Sequence, residues 1–556
     1  MLMKPREIAF GQDAREKILK GVEILAKAVR ATLGPRGESV IIEMPYQAPI
    51  VTKDGITVAR WISVKDPHQN LGVQMMKEAA ARTAEAAGDG TTTATVLGHA
   101  LFAEAFKLIA AGAAPIELKR GIDRGVEEAV KHLEKMSRLV ERDKDIEQVA
   151  TISANGDKEI GKCIAKAVLK VGKDGVVTIE EGKSYGLETE VVDGMELDQG
   201  FVSPYFITNA NRMEAVIESH KGVKVLLLDR ELSSLEEMVN LLDHVSNEGY
   251  GLLVVAHDIN SEALSALVLN KVKNTLNAVG VKAPGFGANR SEELDDIAIL
   301  TGATVLGGHA GEDLSRATSV EVLGNARRVI ARRTSTTIIG MDDKDVKKRV
   351  KDRVKALRDQ IEYIDEQFEK ENTRVRAAQL EGGVAVIRVG AASDVEMREK
   401  KDRVDDALSA TKAAAESGIV PGGGVALLRC VEVIKKINLK GDQALGLQLL
   451  AKVLEEPIRR IVANTADADN QPDVVLHLIK NEDDDAFGFD AATGKYGNLF
   501  DMGIIDPLKV VRSALQHASS VATTMMTASV AVVEDPNVDD GNAMPPMMPP
   551  GMGGGF

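Results

Sequence analysis

The densest group of chemistry-bearing residues is Gly88-Asp89-Gly90-Thr91-Thr92-Thr93, which runs into an apolar helical stretch. Glycines let a backbone approach a ligand closely, a helix start offers unpaired N–H groups at a positive dipole end, and hydroxyls add donors. An anion fits there. The carboxylate between the glycines suits Mg²⁺, which keeps several waters and combines one or two carboxylates with phosphate oxygens. Alone, the hexapeptide also reads as an ordinary Asp/Thr helix cap. Two more glycine turns, Leu33-Gly34-Pro35-Arg36-Gly37 and Gly422-Gly423-Gly424, extend the set, although each by itself could be plain punctuation. Asp54, in Thr52-Lys53-Asp54-Gly55, and Asp406, in Val404-Asp405-Asp406-Ala407, are carboxylates of the kind that orient or deprotonate an attacking water. Taken singly, a turn Asp and a helix-surface Asp are usually structural. Competing motifs fail: the nearest approach to a P-loop, Gly488 to Gly494-Lys495-Tyr496, has one residue too many and Tyr in place of the hydroxyl. No HExxH, paired CxxC or GxSxG occurs, so zinc and hydrolase readings lack support.

The elements that must carry these residues are legible from periodicity. Ile18, Val22, Leu25, Ala28 and Val29 predict a helix from Asp13 to Thr32, stopped by Gly34-Pro35. Val40 to Ile42 and Ile50 to Thr52 predict a hairpin, with Lys53-Asp54-Gly55 as a turn. Leu71 to Ala87 predicts a helix ending at Gly88, and a second helix begins at Thr91. The centre alternates strand-like runs (Val176 to Ile179, Val223 to Leu228, Leu252 to Ala256, Thr304 to Leu306) with helices, an α/β pattern. Leu235, Met238, Val239, Leu241, Leu242 and Val245 lie on one such helix, and Leu264, Leu267, Val268 and Leu269 on another. Both apolar arcs are wider than one sheet contact needs, so these helices are either sandwiched in a core or expose a strip for a partner. The seam Val346, Val350, Val354, Leu357, Ile361, Ile364, Phe368 predicts one long amphipathic helix packed inside a domain. Lys401 to Gly418 predicts another helix, and Ser513 to Val533, uncharged but rich in Ser and Thr, a buried helix rather than a membrane span. From Asn537 onward, Pro, Met, Gly and Asp give no means of burying a core, so a disordered tail is expected.

The chain has 556 residues, enough for about three or four domains. Its 44% hydrophobic and 28% charged composition is that of a folded soluble protein. Acidic residues outnumber basic ones by 84 to 69, a net charge of -15, which is the wrong sign for a nucleic-acid partner. Cys163 and Cys430 lie far apart, so no disulfide framework or metal site follows and a reducing compartment is expected. Met1 to Arg15 lacks the apolar core of a signal peptide, so the mature form is expected to start near Met1.

The motifs occur together in the order found in group I chaperonins, the bacterial GroEL-like and organellar proteins, and the chain resembles that family nearly end to end. The resemblance rests on Ala31-Thr-Leu-Gly-Pro-Arg-Gly37, Thr52-Lys-Asp-Gly55, Ala87-Gly-Asp-Gly-Thr-Thr-Thr-Ala-Thr95, Ser203-Pro-Tyr-Phe206, Val281-Lys-Ala-Pro-Gly-Phe-Gly287, Gly382-Gly-Val-Ala-Val386, Val420-Pro-Gly-Gly-Gly424 and Asp501-Met-Gly503. It implies a multidomain α and α/β fold: a mostly helical equatorial ATP-binding domain (1–135 and 417–535), a small intermediate hinge domain (136–192 and 385–416), an α/β apical domain (193–384) and the tail 536–556. By motif match, Thr32, Leu33, Gly34 and Pro35 would pack against ATP, Asp89 would hold Mg²⁺, and Gly90 and Thr91 to Thr93 would bind phosphates. Thr32, Lys53 and Thr92 would lie near K⁺, and Gly423, Asp490, Ala491, Ala492 and Asp506 near base and ribose. Asp54 and Asp406 would set up the hydrolytic water.

The resemblance further implies that Phe201, Tyr205, Phe206, Val239, Leu242, Leu264, Val268 and Leu269 form the strip that binds non-native polypeptide and a co-chaperonin lid. Asp157 and Arg403 keep the residues of a hinge ion pair. The implied assembly is a homo-oligomeric ring, heptameric and double, in a bacterial-type cytoplasm or alternatively a mitochondrial matrix. Some positions depart from the family pattern: Gln199 stands where Arg is common before the Ser-Pro-Tyr-Phe motif, Glu38-Ser39 replaces an Arg-Asn type pair, and Thr527-Ala528-Ser529 replaces Thr-Thr-Glu. Gln199 removes a salt bridge toward Asp394, and the other two changes fall near strands implied to pair between subunits. An ATP-independent holdase is the alternative these changes motivate, against which stand the retained Asp54, Asp89 and Asp406. A small-molecule kinase lacks any visible acceptor-site motif.

Overall fold

The periodicity between Asp13 and Thr32 becomes the helix Gly11–Arg30, whose buried stripe is Ala14, Ile18, Gly21, Val22, Leu25, Ala26 and Val29. The computed structural model describes residues 5–44, 49–140, 142–172, 175–182, 185–209, 212–232, 239–285, 287–307, 322–364, 366–466 and 470–535. The chain divides into two units, one joining Met1–Asp157 to Ser409–Phe556, the other the continuous segment Lys158–Leu408.

The first unit is built on helices. Helix Thr91–Ala110 packs against Leu508–Thr527, Gly11–Arg30 and Pro67–Ala87, while Pro115–Met136 packs on Asp442–Val453. Thr91–Ala110 is long and apolar enough to cross a membrane by length and composition, yet its apolar residues are spent on these neighbours. The described core is mainly Ala, Val, Leu and Ile, with a few Met and with Phe102 and Phe489, so close helix packing here relies little on aromatic rings. Small sheets pin the ends. Arg6–Phe10 pairs antiparallel with Val530–Glu534, Val40–Ile42 with Ile50–Thr52, Ile419–Pro421 with Ile505–Pro507, and Phe487–Asp490 with Lys495–Asn498. In the first of these sheets Ile8 faces Val532 and Phe10 faces Val530, and all four side chains are exposed. The apolar run predicted as one helix from Ser513 to Val533 stops at Thr527 and turns into the strand Val530–Glu534, a position where β-branched residues are favoured.

The second unit centres on a seven-stranded mixed sheet in the order Gly194–Leu197, Thr336–Ile339, Gly324–Ala331, Ala215–Leu228, Gly251–Ala256, Ala278–Lys282, with Val305–Leu306 also paired to Ala215–Leu228. Its parallel part is buried along nearly every residue, as expected of strands covered on both faces. Val239–Glu248 and Ser261–Val272 are among the helices of this unit. A second sheet places Val384–Gly390 between Val176–Glu181, parallel, and Gly186–Val192, antiparallel. The predicted single helix from Val346 to Phe368 is instead two packed helices, Lys344–Ile361 and Gln367–Gly382. Glu362 and Glu366 sit at the break, unfavourable at the negative end of the first helix and favourable at the start of the second. Leu235, Met238 and the tail from 536 lie outside the described residues.

Candidate active site

Helix Pro67–Ala87 ends on Gly88 at φ 71°, and Gly90 at φ 85° starts helix Thr91–Ala110 without any side-chain cap. Both glycines adopt the left-handed conformation, and Gly88 has a second reason: a Cβ there would lie 2.2 Å from the Ser409 Cβ. The N–H groups of the first helical turn are therefore left for a ligand. Asp54 caps a different helix, Gly55–Trp61, accepting from the N–H groups of Ile56 (3.1 Å) and Thr57 (3.0 Å) and from the Thr57 hydroxyl (2.6 Å). The two helix starts meet. A Cβ on Gly55 would sit 2.1 Å from Thr92 Oγ1 and 3.3 Å from Val29 Cγ1, so only glycine permits this approach.

The end of helix Gly11–Arg30 leads into the Thr32 to Gly37 turn. Thr32 is buried and its hydroxyl donates to the Val29 carbonyl at 2.9 Å. Asn464, which no sequence pattern marks, donates to the carbonyls of Arg30 and Leu33, both at 2.9 Å, and fixes the turn. Arg36 donates to the Ala492 carbonyl at 3.1 Å, tying this turn to the hairpin that carries Asp490, Ala491 and Ala492. Asp490 holds its own tip closed by accepting from the Ala492 N–H (2.8 Å) and the Thr493 hydroxyl (2.6 Å). The Gly422 to Gly424 turn resembles the first: Gly424, at φ 82°, starts helix Val425–Lys435 with no side-chain cap.

The electrostatics join these pieces. Burial pushes the Asp89 carboxyl up, and the charge of Asp54 pushes the same way against a hydrogen bond from the Gly90 N–H. Burial also raises Asp506, to about 7, with the charge of Asp89 adding and the Gly423 N–H opposing. The charge of Asp54 thus acts on Asp89 and that of Asp89 on Asp506, so both buried carboxyls ionise less readily, an arrangement that a cation relieves. Among the described residues no cluster of three or more side chains could hold a metal ion by itself. The chemistry of one buried carboxylate beside free backbone N–H groups suits Mg²⁺ only in combination with a ligand's phosphate oxygens.

A sequence model described as the TCP-1/cpn60 chaperonin family matches residues 25–536. The chain belongs to this family. Among solved structures, the chaperonin gp146 from the bacteriophage EL 2 (Pseudomonas aeruginosa) is similar to this chaperonin, with a TM-score of 0.66 and 23% identity over 95% of this chain and 99% of that one. A second crystal form of the phage protein gives a TM-score of 0.60 at the same identity and coverage. The likeness bears on the fold, a multidomain helical and α/β architecture.

Thr32 to Pro35, Asp54, Asp89 to Thr93, Gly423, Asp490 to Ala492 and Asp506 all lie in the first unit of the chaperonin, linked by the contacts above. Lys53 precedes Asp54 on the same segment. Asp406 belongs to the second unit, on helix Asp394–Ser417, one turn before Ser409. Asp157 ends the first segment of the first unit, and Arg403 pairs with Glu399 one turn earlier on its own helix. The polypeptide strip needs correction. Phe206 is fully buried, its ring over Gly280, and Leu242 is buried beside Leu241 and Val245, so both are core residues of the second unit. Phe201, Leu264 and Val268 are partly buried against that core. The exposed apolar residues are Tyr205 (72%), Leu269 (52%) and Val239 (41%), and Val272, missed in the sequence, is exposed too. Its spacing of three from Leu269 on one helix was the available signal.

Proposed function

We propose that this chaperonin hydrolyses ATP in the first unit and uses the cycle to capture, enclose and release non-native polypeptides. The observation that carries the reading is the meeting of two glycine-started helix N-termini around Asp54, Asp89 and Asp506. In this reading the N–H groups and hydroxyls of Thr91 to Thr93 bind the phosphates, with Gly90 giving the close approach. Thr32 to Pro35 line the nucleotide on one side, and Gly423, Asp490, Ala491, Ala492 and Asp506 receive base and ribose. Asp89 would hold Mg²⁺ and Thr32, Lys53 and Thr92 would hold K⁺; these ions would supply neutralising charge. Asp54 and Asp406 orient the attacking water and take its proton, Asp406 being delivered by the helix Asp394–Ser417. The phage chaperonin of like fold was solved in the presence of ATP-BeFx, which supports nucleotide binding in this fold.

The chain between the two ATP-binding segments would divide into a hinge (136–192 with 385–416), which includes the ends of the first unit at Asp157 and Ser409, and an apical part (193–384), with Asp157 and Arg403 as the hinge pair. Tyr205, Val239, Leu269 and Val272 would take exposed apolar segments of clients and a co-chaperonin loop, gaining through multivalency in a ring. The exposed faces of Ile8, Phe10, Val530 and Val532, with Ile41, support self-association of the chain into that ring, for which we propose seven subunits and two layers. The unpaired Cys163 and Cys430 support a reducing compartment, the cytoplasm of a bacterial cell or a mitochondrial matrix.

The test is ATP turnover by the purified protein with Mg²⁺ and K⁺, alongside refolding of a denatured client. Asp54→Ala and Asp406→Ala should each lower kcat by about 10²-fold or more while nucleotide still binds. Absence of hydrolysis, or hydrolysis without any gain in client yield, refutes the reading.

A further inference from the structure

Arg212 lies in a tight turn between the short helix Pro204–Phe206 and strand Ala215–Leu228. Asn209 and Glu214 close that turn by exchanging backbone hydrogen bonds of 3.0 and 3.1 Å, and the Arg212 N–H donates to Asn209 Oδ1. The guanidinium is only 15% exposed and reaches helix Asp394–Ser417, with Nη2 3.4 Å from Asp402 Oδ1 and 3.6 Å from Asp405 Oδ2. It also donates to the Lys401 carbonyl at 3.5 Å. A second arginine backs it: Arg332, after strand Gly324–Ala331, lies 2.9 Å from Glu214 and 3.6 Å from Glu196, and the charge of Asp405 acts on it. One turn of the helix is thus fastened through Arg212 to the turn before strand Ala215–Leu228, and Arg332 ties that turn to strands Gly324–Ala331 and Gly194–Leu197, all within the second unit.

Asp402, Asp405 and Asp406 are related by i, i+3 and i+4, so they share one face of that helix. Three carboxylates on a stripe repel one another and oppose approach to a polyanionic nucleotide. Arg212 offsets the charge of Asp402 and Asp405, on the same face as Asp406. It does so from the turn that follows Tyr205, one of the exposed apolar residues of the candidate client strip.

We infer that Arg212 is a positioning residue for ATP hydrolysis: by pairing with Asp402 and Asp405 it fixes and neutralises the helical turn that presents Asp406. The inference rests on the reading of Asp406 given above. It is tested on the assembled full-length protein by steady-state hydrolysis, with ATP affinity measured separately. Arg212→Ala and the bulkier Arg212→Gln should each lower kcat about tenfold and leave KM and ATP affinity within about twofold. Arg212→Lys, which keeps the charge, should retain kcat to within about threefold. Adding Asp402→Ala to Arg212→Ala should restore part of the loss, because it removes a negative charge that has lost its Arg212 partner beside Asp406. Wild-type or increased kcat in both Ala and Gln variants, a loss confined to KM, or a Lys variant as slow as Ala overturns the inference. Asp406→Ala in the same assay separates the two claims: normal hydrolysis by that variant refutes the role of Asp406 whatever Arg212 does.

Discussion

Asp506→Asn removes a carboxyl that the fold holds at about 7 instead of 3.8. Burial is the main cause and the charge of Asp89 the second, so in nucleotide-free protein at neutral pH the ionised group works against folding. An acid whose folded pKa lies above its unfolded value favours the fold while protonated. Its contribution is fully present below about pH 4, is lost as the pH rises toward about 7, and is flat above that. At 1.36 kcal/mol per pH unit the full displacement corresponds to about 4 kcal/mol, and the partly accessible side chain halves this to about 2 kcal/mol. The Asn variant carries no such penalty. It should therefore unfold at a temperature a few degrees above wild type at pH 8, with the gap closing by pH 5. The assay is thermal unfolding of nucleotide-free protein at both pH values, repeated with Mg²⁺ and ATP. Nucleotide and Mg²⁺ should stabilise wild type more than the variant, because positive charge in the recess offsets the carboxylate there. A variant less stable than wild type at pH 8, or an offset equal at both pH values, would mean that the Gly423 hydrogen bond outweighs charge burial and that the recess was misread.

Phe10→Ser combined with Val532→Ser, on the exposed face of the terminal two-stranded sheet, should lower the assembled mass seen by analytical ultracentrifugation while far-UV circular dichroism stays unchanged. An unchanged mass removes that face from the subunit contact. Leu269→Ser should weaken capture of a denatured client with little change in thermal stability, since Leu269 is half exposed. Phe206→Ala should do the reverse in the first instance, destabilising the second unit by about 3–5 kcal/mol as a core truncation; a client defect without loss of stability would return Phe206 to the binding strip.

Much of the candidate site was readable because its parts are local. Gly88, Gly90 and Asp54 reveal themselves through turn and cap chemistry within a few residues, and the helix starts that follow are where such residues place them. The contacts that assemble them are not local. Asn464 under the Leu33 turn, Ser409 against Gly88 and the charge of Asp89 on Asp506 join segments hundreds of residues apart, and nothing in their spacing announces it. The fold shows the same division. Strands such as Val223 to Leu228, apolar but for Lys224, and Leu252 to Ala256 were legible, whereas the seam from Val346 to Phe368 hid a break because apolar spacing continues across it. Periodicity likewise marked Leu242 and Leu269 alike, yet only burial tells which side of a wide apolar arc faces the sheet.

The pairing of Arg6–Phe10 with Val530–Glu534, and of helix Thr91–Ala110 with Leu508–Thr527, sets an order on synthesis. The continuous segment Lys158–Leu408 has all of its own strands once its last residues leave the ribosome, and it can close while translation proceeds. The earlier helices cannot. Thr91–Ala110 must wait for a partner about 400 residues downstream, holding an apolar surface open for about 20 seconds or more at ordinary elongation rates. A nascent subunit is therefore itself an aggregation-prone chain in need of shelter, and substitutions that slow the docking of Leu508–Thr527 should cost yield in the cell before they cost stability in the tube.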